Sequence, residues 1–450
     1  MQLKNTQREA NLSTQTNKVD NQNKTSIKSK LTMATCALLQ AGAPAAQAET
    51  GDWNVDAATL YYSEADGRVS IFEPVVNVSK QINEDEYLKF KLVYDVLTGS
   101  TPYGAVPTTT TQTFTKPSGN GNYTTPAGEL PLNSSFRDTR VAGGVDWTIP
   151  FDRLKNITFG GNFSKEYDFN SLAASATYAQ DSSDRNRTYT VGLGYTSDTW
   201  DPVGGKNPEL TYMRIGGTDQ NGKGGTDSKT TTDFMLGLTQ VINRSTIMQF
   251  NLGFSNSSGY LTDPYRFISV LESDGTLTPD SNIPTDARPY LYEKRPDTRS
   301  RNTFFWRTVH HLNEDVVNVS YRYFTDDWGI NSHTLDFRYR YELGGSHYLQ
   351  PHLRYYTQSS ADFFANYLLE SNVATTDFIS ADYRLSEFVG TTIGLKYGFE
   401  IDKNSEFTIR TEFMNQTYTV QDEILAEQQG LDIAPDLNAV IFQVGFNIHW

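Results

Sequence analysis

Apolar and polar residues alternate along most of the chain after residue 50, in segments of about ten residues. The pattern is clearest in residues 437–450, LNAVIFQVGFNIHW. Its apolar positions are Val440, Phe442, Val444, Phe446, Ile448 and Trp450. Successive side chains of a β-strand point to opposite faces, so this alternation predicts strands with one apolar and one polar face.

The alternation predicts sixteen strands, with an allowance of two in either direction. Residues 376–401 are long enough for two strands, and Pro74, which cannot donate to a strand ladder, interrupts the second strand. The predicted strands are 52–63, 68–80, 86–97, 137–149, 156–167, 171–179, 188–198, 229–241, 246–257, 300–310, 315–324, 332–342, 348–357, 376–401, 406–419 and 437–450.

Two kinds of connection separate these segments. Seven are short and charged or rich in asparagine, such as 81–86 and 402–405, whereas most of the others are long, such as 98–136 and 258–299. An even strand number places both termini of the barrel domain and all seven short turns on one side of the membrane. This arrangement is typical of outer-membrane barrels. We therefore predict an all-β, transmembrane, antiparallel up-and-down β-barrel of 14–18 strands, with short periplasmic turns and long extracellular loops.

Composition agrees with a membrane barrel. Hydrophobic residues make up only 37% of the chain, no run of about 18 apolar residues occurs, and the chain contains 26 Tyr and 25 Phe. A secreted all-β adhesin is the main alternative on composition. Sixteen strands enclose an interior too wide for side chains to fill, so we expect the polar face to be the inner one.

The first 48 residues have the features of an export signal. Lys24, Lys28 and Lys30 precede a moderately apolar stretch, and Ala46-Gln47-Ala48 forms a small-residue cleavage site. We predict a cleaved signal peptide with a long polar leader over 1–48 and a single barrel domain over 49–450. A lipoprotein anchored at Cys36, the only cysteine, is the alternative, but Ala34-Thr35-Cys36 fits a lipid-attachment site poorly.

Cleavage would remove six of the 38 basic and two of the 53 acidic residues, leaving a net charge of −19. Such a charge argues against a nucleic-acid partner and suits contacts with outer-membrane lipid and lipopolysaccharide. Without cysteine, the remaining chain has no thiolate metal site and no covalent haem attachment. We predict no cofactor and no metal site.

The predicted strands between residues 300 and 357 carry a basic band on their polar face, which a channel lumen could use to select anions. An equal alternative is that these arginines pair with acids of an inward-folded loop or plug. Earlier strands offer small inward residues instead, such as Gly160, Gly192, Gly194 and Gly253. The band consists of Arg307, Arg322, Asp336, Arg338, Arg340, His352 and Arg354.

Two loops and one acidic pair raise further possibilities. We expect residues 108–126 to form a mobile outer loop, and 420–436 to be a solvated acidic loop rather than a cation site. Asp326-Asp327 lie at a predicted outer turn near His333, where a hydrolase site could form. Asp before Gly at a tight turn more often caps the turn, so we predict that the protein is not an enzyme.

The end of the chain resembles the targeting signal of bacterial outer-membrane barrels, with Gln443, Gly445, Ile448 and Trp450 at the matching spacing. This resemblance implies recognition by the barrel-assembly machinery. Four further stretches resemble a large family of bacterial outer-membrane barrels of unknown function. They are GYLTDPYR (259–266), RPYLYEKRPDTRSRN (288–302), YRYFTDDWGINSHTLDFRYR (321–340) and QPHLRYYTQSSADFF (350–364). The family resemblance implies the fold and an outer-membrane location, and suggests a lipoprotein or periplasmic redox partner.

These observations lead to two functional hypotheses. The first is a passive channel or porin-like conduit whose lumen has an arginine-rich wall. The second is a non-conducting structural or docking barrel for a periplasmic or lipoprotein partner, in extracytoplasmic electron transfer. An outer-membrane hydrolase is a weaker third reading.

Overall fold

The computed structural model describes residues 53–116, 121–132, 136–215, 224–277 and 283–450. The predicted signal peptide and Cys36 lie outside these residues. The described residues form sixteen strands in a closed antiparallel barrel and six short strands in the loops. Among these residues, no helix is long and apolar enough to cross a membrane.

The barrel strands follow one another around the wall in chain order. They are β1 (Trp53–Glu64), β2 (Ser70–Asn83), β3 (Glu86–Thr98), β6 (Arg137–Asp152), β7 (Lys155–Lys165), β8 (Phe169–Asp181), β9 (Arg187–Trp200), β11 (Asp227–Asn243), β12 (Thr246–Gly259), β15 (Thr298–Leu312), β16 (Asp315–Asp326), β17 (Asn331–Gly344), β18 (His347–Gln358), β20 (Phe388–Asp402), β21 (Ser405–Tyr418) and β22 (Leu437–His449). The loop strands are β4 (Gln112–Thr115), β5 (Asn122–Thr125), β10 (Tyr212–Arg214), β13 (Phe267–Leu271), β14 (Ala287–Tyr292) and β19 (Leu368–Leu369).

The barrel closes where β1 pairs with β22, in register from Asn54–His449 to Glu64–Ala439. Beyond this ladder the Trp53 and Trp450 backbones exchange two hydrogen bonds, of 2.7 and 3.0 Å. The predicted number of sixteen strands is therefore confirmed. Trp53 and Trp450 lie at the end of the barrel that carries the short turns. We call this the short-turn end and the opposite one the loop end.

One predicted strand was too long. Residues 376–401 contain a single barrel strand, which begins at Phe388, while 376–387 belong to a loop. Pro74 stays inside β2, opposite Thr59 of β1, but no pairing joins it to β3. Its missing N–H therefore interrupts the β2–β3 ladder without ending the strand.

Side-chain exposure alternates along each barrel strand as the sequence pattern predicts. In β3 the outward residues Phe90, Leu92 and Tyr94 are 46%, 56% and 43% exposed, whereas Val93 between them is 7% exposed. A closed barrel satisfies every strand edge, so an apolar outer surface of this kind can face lipid. We call the opposite side of the wall the polar face.

The long loops pack into a folded unit, which we call the loop cap, built from the described parts of 99–136, 201–226, 260–297, 359–387 and 419–436. Its four-stranded sheet has the order β10–β14–β13–β19, and β4 and β5 form a hairpin beside it. Phe114 of the hairpin is fully buried against Phe267 and Tyr290 of the sheet. The described residues of 108–126 thus include a hairpin that packs into the cap rather than an exposed loop, and their mobility stays a prediction.

The loop cap crosses the mouth of the barrel. Loop 99–136 leaves between the third and fourth barrel strands, 260–297 between the ninth and tenth, and 359–387 between the thirteenth and fourteenth. These loops nevertheless meet: the Phe267 N–H donates to the Tyr103 carbonyl at 3.2 Å, and Lys294 and Ile379 exchange backbone hydrogen bonds of 3.0 and 2.9 Å. Loops that start so far apart around the wall can meet only across the opening, either above it or inside it.

Candidate functional site: the basic band and the loop cap

The pairing register places every residue of the predicted basic band on the polar face. Ser320 of β16 lies opposite both Arg307 of β15 and Asp336 of β17, and Asp336 lies opposite Arg354 of β18. Arg338 faces His352 in the next level toward the short-turn end. Directly opposed residues of antiparallel strands share a face, so these side chains form one continuous surface. Their functional role stays a prediction.

The band extends two strands further than the sequence reading placed it. Lys396 of β20 lies opposite Gln350 and Arg410, and Glu412 of β21 lies two residues from Arg410 on the same face. The alternation in β20 and β21 also places these residues on the polar face, but the predicted band ended at β18. On the polar face of strands β15 to β21, the rows from the Phe305–Arg322 pair to the Val316–Arg340 pair carry seven Arg or Lys side chains and two carboxylates, Asp336 and Glu412.

His352 lies between those two carboxylates. Its Nε2 is 2.9 Å from Asp336 Oδ2, and its Nδ1 is 2.8 Å from Glu412 Oε1. Gly394 makes this possible, because a Cβ at that position would lie 2.6 Å from Glu412 Cγ. The Arg338 Nε is 3.3 Å from Asp336 Oδ1. This contact network fixes His352 and both carboxylates on the wall.

Arg340 is held by a second group of residues nearer the short-turn end. Its guanidinium carbon lies 3.6 Å above the centre of the Tyr348 ring. Its Nε forms a salt bridge with Glu342. Tyr348 is 1% exposed because its ring covers Gly398, and its hydroxyl donates to Glu406. The aromatic ring therefore fills the space that glycine leaves in the sheet and supports the cation.

Three arginines of the band differ from the others. Arg307 donates from Nε to the Asn318 side-chain oxygen at 3.2 Å, and Arg322 lies 5.6 Å from the centre of the Phe305 ring. Arg354 is exposed on the polar face. In the described part of the chain, none of the three lies within salt-bridge distance of a carboxylate. We call Arg307, Arg322 and Arg354 the arginine triplet.

The opposite part of the wall is lined by small side chains, as predicted. Gly160, Ser175 and Gly194 lie at one level of β7, β8 and β9, and Gly237 lies opposite Asn251 of β12. A Cβ at Gly253 would make only an ordinary 3.8 Å contact with Thr303. A Cβ at Gly160, by contrast, would overlap with Ser175 Oγ, so polar side chains fill the space over some of these glycines. The residues of this set are Gly160, Asn162, Ser175, Thr190, Gly192, Gly194, Gly237, Asn251 and Gly253.

A group of buried acids in the loop cap pairs with arginines of the cap itself. Asp382, which is fully buried, is bound by Arg384 and lies 2.8 Å from Arg295 and 3.7 Å from Arg266. Burial alone would raise the pKa of Asp382, but the charges of Arg266, Arg384 and Arg295 outweigh it and hold the pKa well below its usual range. The network also includes Asp263 and Glu293. Sequence analysis missed it because its members lie on separate loops.

Asp168 is a second buried acid, in the link between β7 and β8. The Tyr265 hydroxyl of the loop cap donates to its Oδ2 at 2.5 Å. Burial raises the pKa of Asp168 to about 7, the hydrogen bond opposes this increase, and the charge of Asp138 adds to it. This group therefore titrates near neutral pH in contact with the cap.

The residues of the possible hydrolase site do not converge. Asp326 accepts the backbone N–H groups of Trp328 and Ile330 at 3.1 and 2.9 Å, which is turn chemistry. It lies opposite Arg301 on the polar face, whereas His333 lies opposite Tyr323 on the outward face. Among the described residues, no cluster of three or more His, Cys, Asp or Glu side chains could hold a metal ion.

The residues of the predicted C-terminal signal lie in the closing strand. Gln443 and Gly445 are on the polar face, opposite Leu60 and Ala58 of β1, and Ile448 is on the outward face opposite Val55. Trp450 follows the strand and is 57% exposed. Their recognition by the assembly machinery stays a prediction.

Comparison with solved structures returns outer-membrane barrels. A loop-deletion mutant of OmpT, an outer membrane protein of Vibrio cholerae, matches at 10% identity and a TM-score of 0.39, over 89% of this chain and 99% of that one. The CymD monoaromatic hydrocarbon channel matches at 6% identity and a TM-score of 0.38, over 90% of each chain. A mutant of the ferric enterobactin receptor PfeA of Pseudomonas aeruginosa matches at 9% identity and a TM-score of 0.41, over 83% of this chain and 54% of that one.

No curated protein matches the chain in sequence. A family model described as "Protein of unknown function (DUF3570)" matches residues 28–448. The protein is thus a closed sixteen-stranded β-barrel over its described residues, and its chain belongs to the DUF3570 family.

Proposed function

We propose that this protein is an outer-membrane conduit for small anions, exported through its N-terminal signal peptide. In this proposal the polar face lines the lumen and the basic band forms one wall of it. Outer-membrane lipid, lipopolysaccharide and the barrel-assembly machinery are its proposed partners. The outward apolar surface and the closed strand ladder support the location.

The excess of positive charge in the basic band carries the proposal. Seven cations of strands β15 to β21 meet four carboxylates: Asp336 and Glu412 among them, and Glu342 and Glu406 at their short-turn edge, where these pair with Arg340 and Lys396. Lys396 also lies directly opposite Arg410. Like charges at directly opposed positions destabilise a sheet. A wall of this kind gains stability when anions enter, and its field raises their local concentration.

The loop cap sets the expected behaviour of the conduit. Because the cap crosses the mouth at the loop end, we expect small or intermittent conductance from the intact protein. A group of its buried acids pairs with its own arginines, and the cations of the band contact wall residues such as Asp336, Glu342 and Asn318. Over the described residues the cap therefore does not supply the partners of the basic band, and movement of the cap would leave the contacts of the band unchanged.

Reversal potential in a planar bilayer tests this function. Refolded protein in a KCl gradient should show chloride preference, and the double variant Arg338→Gln/Arg340→Gln should shift the reversal potential toward zero. The control Arg185→Gln/Arg187→Gln removes the same charge at the turn between β8 and β9. Cation preference in the unmodified protein, or an equal shift in both variants, would refute selection by the basic band.

A docking barrel is the second candidate, and the ordered loop cap favours it. Buried aromatic residues such as Tyr103, Phe114 and Trp200 hold the cap together, as a permanent closure would require. Correctly folded protein that stays silent at all voltages would support this candidate, in which a periplasmic or lipoprotein redox subunit binds the barrel. Co-purification of such a subunit would then be the next measurement.

A further inference from the structure

The arginine triplet lies on the strands next to Asp336. Arg354 of β18 is directly opposite Asp336 of β17, and Ser320 of β16 lies between Asp336 and Arg307 of β15. The hydrogen bonds of Asp336, however, go to His352 and Arg338, at 2.9 and 3.4 Å. One carboxylate that is already engaged cannot neutralise three further guanidinium groups.

The triplet occupies three strands of one stretch of the wall. Arg307, Arg322 and Arg354 lie on β15, β16 and β18, with Asp336 on the intervening strand β17. Three strand spacings span about 14 Å, which extended arginine side chains can bridge from both sides. Arg322 and Arg354 are near enough to interact electrostatically.

The neighbours of the triplet orient it without neutralising it. Asn318 binds only the Nε of Arg307 and the Phe305 ring lies beneath Arg322, so terminal N–H groups of both remain directed away from these supports. A guanidinium group that is held through its Nε or through the face of its plane keeps its terminal N–H groups available. These groups can bind an oxyanion with paired hydrogen bonds. Tyr356, close to Arg322 and Arg354, donates its hydroxyl to Gln358 at 2.6 Å.

We propose that the arginine triplet is a binding site for an oxyanion with two or more negative charges, such as a phosphate group or a dicarboxylate. Arg338 and Asp336 form a pair, and His352 lies between Asp336 and Glu412, so the triplet supplies the unpaired positive charge. A divalent anion neutralises most of it, whereas a monovalent one leaves strong repulsion. This site deepens the proposed conduit by naming its class of solute.

Equilibrium binding to the full-length protein in lipid nanodiscs tests the site without requiring conduction. The probes are inorganic phosphate, succinate and acetate, measured by isothermal titration calorimetry at low salt. We expect saturable binding of phosphate, succinate or both, and at least tenfold weaker binding of acetate. Arg354→Gln should weaken binding about tenfold or more, because one charge-assisted contact of about 1.4 kcal/mol or more is lost.

Arg187→Gln is the control, because it removes the same charge at the turn between β8 and β9, outside the basic band. Heat-dependent migration in gels confirms that each variant forms the barrel. Absence of saturable binding by either divalent probe, or equal loss in Arg187→Gln and Arg354→Gln, would overturn the proposal. Phosphate binding without succinate binding would assign the site to phosphate groups.

Binding and conduction separate this site from the proposed function. Divalent-anion binding in a barrel that never conducts would retain the site and refute the conduit. Anion-selective conduction without binding would retain the conduit and refute the site, leaving the band as a diffuse field.

Discussion

At the residue scale, Gly394 shows how a missing side chain builds the basic band. Glu412 crosses the space above this glycine and so reaches His352 at 2.8 Å. Gly398 plays the same part for Tyr348, whose ring covers it and supports Arg340. Two glycines on one strand therefore allow large polar side chains to lie flat against the wall.

Gly394→Ala should destabilise the barrel by about 1–3 kcal/mol, the usual cost of overpacking a filled site. The new methyl group would lie 2.6 Å from Glu412 Cγ and would push that side chain away from His352. Denaturant titration of the folded barrel measures the loss. Gly253→Ala is the control, because its methyl group would make an ordinary 3.8 Å contact. Equal stability of both variants would show that the Glu412 contact is not tightly packed.

At the element scale, the β7–β8 link joins the barrel to the cap through Asp168 and Tyr265. Burial raises the pKa of Asp168 from 3.8 to about 7 in the closed cap. The closed cap therefore binds this proton more tightly than an opened cap does. Cap stability should fall as pH rises from about 4 to about 7 and level off above 7.

Hydrogen exchange of the 260–297 amides, corrected for intrinsic rates, should show this pH dependence, with a change of at most about 4 kcal/mol. Asp168→Asn should reduce this slope, because asparagine keeps an acceptor for the Tyr265 hydroxyl and has no proton to lose. Part of the slope should remain, because burial also raises the pKa of Glu293 and of Asp422 in the cap, whereas the low pKa of Asp382 places its titration below this range. The same slope in Asp168→Asn would assign the pH dependence to another group.

Strands were more predictable than loops, because the alternation of apolar and polar residues along a barrel strand shows which side chains point outward and which lie on the polar face. The pattern misled over 376–387, where Ile379 and Leu385 are 5% exposed because they pack in the loop cap rather than in a strand. The basic band followed from the same alternation, so its residues could be named in advance. The cap network could not, since Asp263, Arg295 and Asp382 meet only through tertiary contacts.

At the scale of the whole molecule, the loop cap connects parts of the wall that are far apart. Asp382 lies in the loop between β18 and β20, and its partners Arg266 and Arg295 lie in the loop between β12 and β15. Arg266 also donates to the Pro102 carbonyl and to Thr101 in a third loop. A change at this carboxylate should therefore be felt across the mouth.

Asp382→Asn should loosen the cap while the barrel stays folded. Removing one partner of a buried charge network typically costs about 3–5 kcal/mol, because the remaining arginines lose their counter-charge. We expect faster proteolysis within 260–297 and 359–387 and more frequent open events in bilayers. Asp432→Asn, at an exposed acid of loop 419–436, is the control. Unchanged protease resistance in Asp382→Asn would mean that apolar packing alone holds the cap.

The seam between β1 and β22 also has a kinetic consequence. Asn447 donates to the Asn54 side chain across it at 2.8 Å, although the two residues are 393 positions apart in the chain. Contacts of such sequence separation form slowly, because the intervening chain must first lose its freedom. Until then β1 and β22 each present an unpaired edge in a medium that cannot hydrogen-bond it. We therefore expect closure of this seam to be the slowest step of barrel assembly.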